Sequence, residues 1–267
     1  MPVVDVAEVT YQEAEEQAEA EEDVLMEEDD DAPETVEEDA DVAEEALPEA
    51  QDIDDEEELE EVLDDDEEGE GQEAPSNLPG AYNLAVPFTP QAPHANWDLP
   101  YQEACEEASA LMVAWYFEGR PAELVDPDEA DEALLWLVEF QLDMFGDYLD
   151  TTAEQTRQML DGYFNLQARV VDDPTVEQIK EEIAAGRPVI LPAAGRQLGN
   201  PYFSGEGPLY HMLVIKGYTE NQFIVNDPGT KRGQNYAYDI DVIMNAMGDW
   251  NDGDPANGEK RVIFVSP

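Results

Sequence analysis

The residues of this chain that could carry out nucleophilic chemistry are one thiol, one imidazole and one carboxylate. Cys105 is the only cysteine, and it stands where a run of helix-forming residues begins. A thiol at a helix start is favoured as thiolate, the nucleophilic form, because the unpaired N–H groups there carry partial positive charge. His211 opens one predicted strand, and Asp227 follows the next. Cysteine, histidine and aspartate together can activate a thiol.

The spacing of His211 and Asp227 predicts that their side chains meet. Residues 210–218 and 222–226 are rich in apolar and β-branched side chains and are separated by a short turn, which predicts a β-hairpin. Pairing across the turn brings the two outer strand ends together. In a Cys–His–Asp arrangement the histidine takes the thiol proton and the carboxylate orients the imidazole ring. The set therefore indicates a thiol hydrolase.

Each of these residues also has a purely structural interpretation. Apolar residues at helical spacing after Cys105 predict a helix with one buried face, where a lone cysteine packs as a small hydrophobic side chain. A histidine in a strand can be a satisfied structural residue, and aspartate before Pro-Gly is typical of turns. The functional interpretation depends on the three residues occurring together in this order.

The composition divides the chain of 267 residues into two parts. Residues 1–80 hold 37 of the 68 acidic side chains and none of the 11 basic ones. Such a segment buries too little apolar surface to offset the entropy of ordering, so we expect a disordered acidic segment and linker. Residues 81–267 contain nearly all of the aromatic residues and have the length of one folded domain.

The net charge of −57 restricts the possible partners. Phosphate neutralisation requires clustered Lys and Arg, so we expect no nucleic-acid binding. Cationic proteins or metal ions would suit the acidic segment, and the scarcity of lysine would also suit solubility at high salt. The sequence contains no zinc-type Cys/His cluster, no apolar run near 18 residues and no signal-type leader. We expect no membrane insertion and a cytoplasmic location.

Hydrophobic periodicity in residues 81–267 predicts an α+β domain, with N-terminal helices packed on a C-terminal antiparallel sheet. The long loop at residues 194–208 is rich in Gly, Asn and Pro and is expected to border a site. Helices are predicted at residues 105–119, 127–145, 175–185 and 238–247, with another from Thr151 with Glu154 in a capping box, and extended segments or strands at residues 82–88, 166–171, 188–191, 210–218, 222–226 and 261–265.

Four segments resemble the C39-like cysteine peptidases, a family of the papain-like superfamily. They are VPFTPQAP at residues 86–93, PYQEACEEAS at 100–109, HMLVIKGY at 211–218 and VNDPG at 225–229. A cysteine at a helix start, followed by histidine and aspartate on a later hairpin, is the layout of papain-like proteases. The resemblance implies a papain-like fold and hydrolysis of a peptide or isopeptide bond in a protein or peptide substrate, without metal or organic cofactor.

The resemblance also implies roles for individual residues. Cys105 would be the nucleophile, His211 the general base and acid, and Asp227 the residue that orients His211. Gln91 would bind the oxyanion with its side-chain amide, together with the backbone N–H of Cys105. Gln102 lies nearer to the cysteine in sequence and is an alternative for the oxyanion residue.

One departure from the superfamily pattern concerns the residue after the nucleophile. Many members have glycine there, whereas this chain has Glu106. Glu103, Glu106 and Glu107 surround the thiol with carboxyl groups, which raise the pKa of a neighbouring thiol. The alternative function is therefore a catalytically inactive papain-like domain that binds other molecules, with an acidic tail for cationic partners or metal ions.

Overall fold

An antiparallel sheet organises the part of the chain that the computed structural model describes, residues 78–267. The predicted acidic segment at residues 1–80 lies outside the described residues except for its last three, so the predicted domain boundary stays a prediction. The strands are β1 (Tyr82–Asn83), β2 (Gln167–Asp172), β3 (Val189–Ala194), β4 (Tyr210–Tyr218), β5 (Gln222–Asn226), β6 (Tyr236–Asp239) and β7 (Arg261–Ser266).

The order of the strands places β4 inside the sheet. Six strands follow the order β2-β7-β3-β4-β5-β6, and β1 pairs with β4 beside that path. Every residue of β3 and of β4 is buried, as expected for near-continuous apolar runs covered on both faces. The predicted hairpin is confirmed, because β4 and β5 pair antiparallel with Val214 opposite Asn226. The site elements therefore lie on the best-packed strands of the domain.

Five helices accompany the sheet within residues 78–267, and together they confirm the predicted α+β fold. Helix α1 packs against β4, and α3 packs against β2. No helix of the described chain is long and apolar enough to cross a membrane. The helices are α1 (Cys105–Phe117), α2 (Pro127–Phe145), α3 (Ala153–Gly162), α4 (Val176–Ala184) and α5 (Ile240–Ala246).

Local sequence signals explain where two of these helices begin and end. The side chain of Asp126 accepts the backbone N–H groups of Asp128 and Glu129 at the start of α2, and Gly146 ends that helix with φ 80°. The cap of helix α3 lies one residue later than predicted, because Thr152 forms the capping box with Gln155. The predicted box of Thr151 and Glu154 is therefore wrong by one position.

Helix α1 differs from its prediction in how much of it is buried. The spacing predicts one apolar face, but every residue from Cys105 to Trp115 is buried in the structure. The buried set includes the acidic side chains of Glu106 and Glu107. Carboxyl groups enclosed in this way must find hydrogen-bond donors or keep a proton. The helix therefore brings ionisable groups, and not only apolar ones, into the core.

The segment predicted as a helix at residues 238–247 begins as a strand. Residues Tyr236–Asp239 form β6, which pairs with β5 and places Tyr238 opposite Phe223. Helix α5 starts only at Ile240. Strand pairing overrides the helical pattern here because it buries the ring of Tyr238. As a result, the hydroxyl group of Tyr238 reaches the end of β5.

Candidate active site

His211 and Asp227 form a buried pair at the end of the β4–β5 hairpin. His211 Nε2 lies 2.8 Å from Asp227 Oδ1, and the two side chains are 1% and 0% exposed. A carboxylate only accepts hydrogen bonds, so Nε2 carries the proton and Nδ1 is the basic nitrogen. The ring of Phe203 packs edge-on against the imidazole, with the ring centroids 5.3 Å apart. The imidazole is therefore held in one orientation and one tautomer.

Asp227 is held by hydrogen bonds from four residues. Its Oδ2 accepts from Asn200 Nδ2 at 3.0 Å and from Tyr238 Oη at 2.7 Å. Its Oδ1 accepts from the backbone N–H of Gly229 at 3.0 Å, in addition to His211. Burial acts to raise the pKa of Asp227, but the charge of His211 and these hydrogen bonds outweigh it and lower the pKa. The carboxylate is therefore ionised inside the protein.

The sequence did not indicate that Asn200 and Tyr238 belong to the site. Asn200 lies in the loop that was expected to border a site, but no local pattern distinguishes it from the other polar residues there. Tyr238 was assigned to a helix that the structure does not contain at that position. The Nδ2 of Asn200 also donates to Tyr238 Oη, at 2.8 Å, so the two residues support each other.

A glycine allows the turn after Asp227 to approach the imidazole closely. A Cβ atom at Gly229 would lie 2.9 Å from His211 Cε1, closer than real Cβ contacts come. Only glycine fits at this position without movement of the imidazole ring. The Pro-Gly dipeptide after Asp227 is therefore more than turn chemistry, since it leaves room for the histidine.

Cys105 is the first residue of α1, and it is 5% exposed. The backbone N–H of Met212, the residue after His211, hydrogen-bonds to the sulfur and acts to lower the pKa of the thiol. The structure thus brings Cys105 against the strand that carries His211. Within residues 78–267 no hydrogen bond joins the thiol to the imidazole. The side-chain partner of the thiol is Glu106, whose Oε2 lies 3.0 Å from Sγ.

The pKa of Cys105 is well above its ordinary value. Burial is the main cause, followed by the charge of Glu106, the hydrogen bond to Glu106 and the charge of Glu103. These effects outweigh the hydrogen bond from Met212. Burial, together with the surrounding carboxyl groups, therefore acts against the thiolate that a helix start is expected to favour.

The carboxyl groups at the start of α1 also have raised pKa values. For Glu106 burial and the charge of Glu107 raise the pKa well above its ordinary value. Burial raises the pKa of Glu107 to about 8, although the side-chain amide of Gln141 donates to its Oε1. Burial therefore favours the protonated form of both carboxyl groups beside the thiol.

Gln91 is buried beside the segment that leads to Cys105. Its Nε2 donates to the backbone oxygens of Tyr101, at 2.9 Å, and Gln102, at 2.7 Å. Its backbone N–H donates to the backbone oxygen of Pro228. Gln91 therefore links the turn before the cysteine, through its side chain, to the turn after Asp227, through its backbone. Both N–H groups of its side-chain amide are engaged. The alternative oxyanion residue, Gln102, has an exposed side chain.

An α+β fold with a cysteine at a helix start and a His–Asp pair on the adjoining sheet defines the class of papain-like proteins. The model of the Peptidase C39 like family matches residues 83–253, which is more than half of the chain. The chain belongs to this family, and the expected resemblance is confirmed.

Other comparisons add a structural neighbour. The chain is similar to a protein from Bacillus anthracis whose crystal structure is described as that of a C39-like peptidase. The two share 16% identity, the similarity covers 70% of this chain and 98% of the other, and the TM-score is 0.46. No curated protein matches the chain.

Proposed function

We propose that this protein is a cysteine peptidase that cleaves a peptide or isopeptide bond through an acyl-enzyme. The observation that carries the proposal is the 2.8 Å contact between His211 Nε2 and Asp227 Oδ1 in a buried site. A fixed tautomer leaves Nδ1 as a base next to the strand position that contacts Cys105. The membership in a peptidase family supports the same reaction.

The first half of the reaction forms a thioester on Cys105. The thiol proton moves to Nδ1 of His211, and Asp227 stabilises the resulting imidazolium. The sulfur attacks the carbonyl carbon of the scissile bond, and the carbonyl oxygen becomes an oxyanion. When the tetrahedral intermediate collapses, the C–N bond breaks and the amine leaves with the proton from His211.

The second half releases the acyl group. His211 takes a proton from water, and the hydroxide oxygen attacks the thioester carbon. The C–S bond then breaks, the sulfur recovers the proton from His211, and a carboxylic acid product leaves. The chain's own residues supply every proton transfer in this cycle, so we propose that no metal or organic cofactor participates.

The oxyanion requires donors at the start of α1. The backbone N–H of Cys105 has no acceptor within its own helix, as is general for the first residue of a helix. We propose that this group and the amide of Gln91 bind the oxyanion. A rotation of the Gln91 side chain away from the Tyr101 and Gln102 backbone oxygens would have to free one N–H group first.

The test compares the whole chain with its Cys105→Ala variant on a quenched fluorescent peptide library. We expect that the variant loses all hydrolysis and all labelling by iodoacetamide. Ser109→Ala is the matched control, since Ser109 is a buried residue of the same helix with no hydrogen-bond partner for its hydroxyl among residues 78–267. Unchanged hydrolysis in the Cys105→Ala variant would contradict the proposal.

A second candidate function is a catalytically inactive domain that presents its acidic segment to cationic partners. The observation that favours it is the hydrogen bond of the thiol to Glu106 in place of His211. It requires that no peptide in the library is cleaved and that a basic protein such as histone binds in a salt-sensitive way. Cys105-dependent hydrolysis would exclude it.

A further inference from the structure

The thiol of Cys105 is held by the residue that follows it. Cys105 Sγ lies 3.0 Å from Glu106 Oε2, in the range of a hydrogen bond from a thiol. Both side chains are nearly inaccessible, at 5% and 1% exposure. Because a thiol has one proton, a thiol that donates to Glu106 cannot donate to Nδ1 of His211 at the same time. The resting contact and the productive contact therefore exclude each other.

The carboxyl group of Glu106 is fixed by the helix start itself. Ala104 precedes the helix and offers no side-chain cap for the first N–H groups of α1. The backbone N–H of Glu106 hydrogen-bonds to its own carboxyl group, which takes the place of a capping side chain. The carboxyl group therefore has a backbone partner at the helix start in addition to the thiol.

The groups that face this pair come from two parts of the chain. Glu103 and Glu107 lie on the same segment, and their charges act on the pair. Strand β4 contributes Tyr210, whose pKa is raised by burial and by nearby charges including Glu106, and the imidazole of His211. The only cationic form among these groups would be protonated His211.

We propose that Glu106 is a positioning residue that holds the Cys105 thiol in a protonated resting state, turned away from His211. The inference rests on the proposed function and deepens it, because it concerns the regulation of the same cysteine. It assigns a role to the buried acidic residue that directly follows the proposed nucleophile.

Activation then requires a change at the sulfur and not at the carboxyl group. The S–H bond rotates about the Cβ–Sγ axis away from Oε2, and its proton moves to Nδ1 of His211. The sulfur keeps the electron pair and the hydrogen bond from the backbone N–H of Met212. Glu106 neither gains nor loses a proton, so the proton transfer involves Cys105 and His211 alone.

The experiment measures how fast iodoacetamide alkylates the whole chain as a function of pH. Cys105 is the only cysteine, so the alkylation rate reports this thiol alone. In the Glu106→Gln variant we expect a profile displaced to lower pH and a rate at neutral pH that is about tenfold higher, corresponding to a tenfold larger thiolate fraction. A profile identical to that of the unmodified chain would overturn the inference.

Glu107→Gln is the matched control, because the same substitution is made one residue further along the same buried helix start. Glu107 contacts Gln141 and not the thiol, so we expect an alkylation rate close to that of the unmodified chain. An effect equal to that of Glu106→Gln would show that any buried acid acts alike and would overturn a positioning role.

A measurement on the unmodified chain covers the case in which Glu106→Gln does not fold. The single thiol gives the only S–H stretching band of the protein in the infrared spectrum. We expect this band at neutral pH, displaced to low frequency by the hydrogen bond to Glu106. Absence of the band would mean that the thiol is ionised, and a band at the frequency of a free thiol would mean that the contact is not made. Either result overturns the inference.

The inference and the proposed function fail in different ways. If Glu106→Gln alters alkylation but no variant or unmodified chain cleaves the peptide library, the positioning role stands and the peptidase proposal fails. If hydrolysis depends on Cys105 but the alkylation profile does not respond to Glu106→Gln, the peptidase proposal stands and the positioning role fails.

Discussion

Two buried carboxyl groups contact the proposed catalytic side chains, Asp227 at His211 and Glu106 at Cys105, and their pKa values are shifted in opposite directions. Asp227 receives four hydrogen bonds from His211, Asn200, Tyr238 and Gly229, and its pKa is lowered. Glu106 has a thiol and its own backbone N–H as partners, and its pKa is raised. Burial is the same in both cases. The charge of His211 and the hydrogen-bond donors lower the pKa of Asp227, whereas the charge of Glu107 adds to burial in raising the pKa of Glu106.

The difference explains how one site can contain both an orienting carboxylate and a protonated thiol. The ionised Asp227 fixes the tautomer of His211, so that Nδ1 is always ready to accept a proton. In the proposed resting state, the hydrogen bond from the Cys105 thiol to Glu106 keeps a proton on the sulfur until the thiol turns. Three predictions test this contrast.

The largest expected effect comes from replacing Asp227, the carboxylate that accepts four hydrogen bonds. Asp227→Asn leaves an oxygen to accept from the surrounding donors, but it removes the charge that stabilises the imidazolium. We expect kcat to fall by about 10³- to 10⁴-fold, as is typical when the carboxylate of such a triad is replaced. Steady-state kinetics on the best peptide of the library provide the measurement.

The control for this substitution is Asp239→Asn at the exposed end of β6, where the carboxyl group accepts from Gln222. It should leave kcat within about twofold, the usual range for a surface change. A loss of less than about tenfold in the Asp227→Asn variant would mean that the carboxylate does not act through His211.

A smaller effect is expected when Asp227 loses one of its donors. Tyr238→Phe removes the 2.7 Å hydrogen bond to Oδ2 and keeps the ring. Hydrogen bonds to charged groups contribute about 2 kcal/mol, so we expect a comparable fall in the free energy of unfolding. The pKa of Asp227 should rise, and kcat should begin to fall at a higher pH than in the unmodified chain.

Tyr236→Phe is the matched control for this prediction, since Tyr236 lies on the same strand and packs against the ring of Tyr238. We expect no change in its pH profile. If Tyr238→Phe lowers stability without moving the pH profile of kcat, Tyr238 serves packing alone.

Glu107, beside Glu106, has a raised pKa where Asp227 has a lowered one. It therefore predicts that stability falls as pH rises, the opposite of what a lowered pKa predicts. Folded Glu107 has its pKa raised from 4.5 to about 8. Below the pKa of the unfolded chain, Glu107 holds its proton in both the folded and the unfolded state, and its contribution to the free energy of unfolding is fully present. As pH rises from there towards about 8, unfolding releases the proton, so the contribution falls by up to about 1.4 kcal/mol per pH unit.

The measurement is denaturant unfolding of the unmodified chain and Glu107→Gln at about pH 5 and about pH 8. Glutamine does not titrate. From the lower to the higher pH, the free energy of unfolding of the variant should therefore rise relative to that of the unmodified chain by on the order of 1–3 kcal/mol. A difference that does not depend on pH would show that Glu107 is ionised in the folded protein.

The part of the site that the sequence predicted is the part built by neighbouring segments. A short turn joins β4 and β5, so the pairing of apolar runs was enough to predict that His211 and Asp227 meet. The start of α1 at Cys105 was also a local signal. The catalytic roles of these residues, and that of Gln91, are still proposals.

The rest of the site depends on contacts that no local pattern contains. Asn200 reaches Asp227 across 27 residues of chain, and Tyr238 does so from a strand whose residues also fit a helix. The burial of Glu106 follows from the elements that cover α1 on every side, whereas the sequence shows only where a charged residue stands. Tertiary packing therefore decides both the donors and the protonation states.

The most direct test of the proposed chemistry is to trap the acyl-enzyme. The whole chain is mixed with its best peptide, quenched in acid within milliseconds to seconds, and digested for mass spectrometry. We predict that the peptide containing Cys105 carries the mass of the acyl fragment, and that His211→Gln abolishes this adduct. Hydrolysis that proceeds at full rate without any adduct on Cys105 would contradict the account.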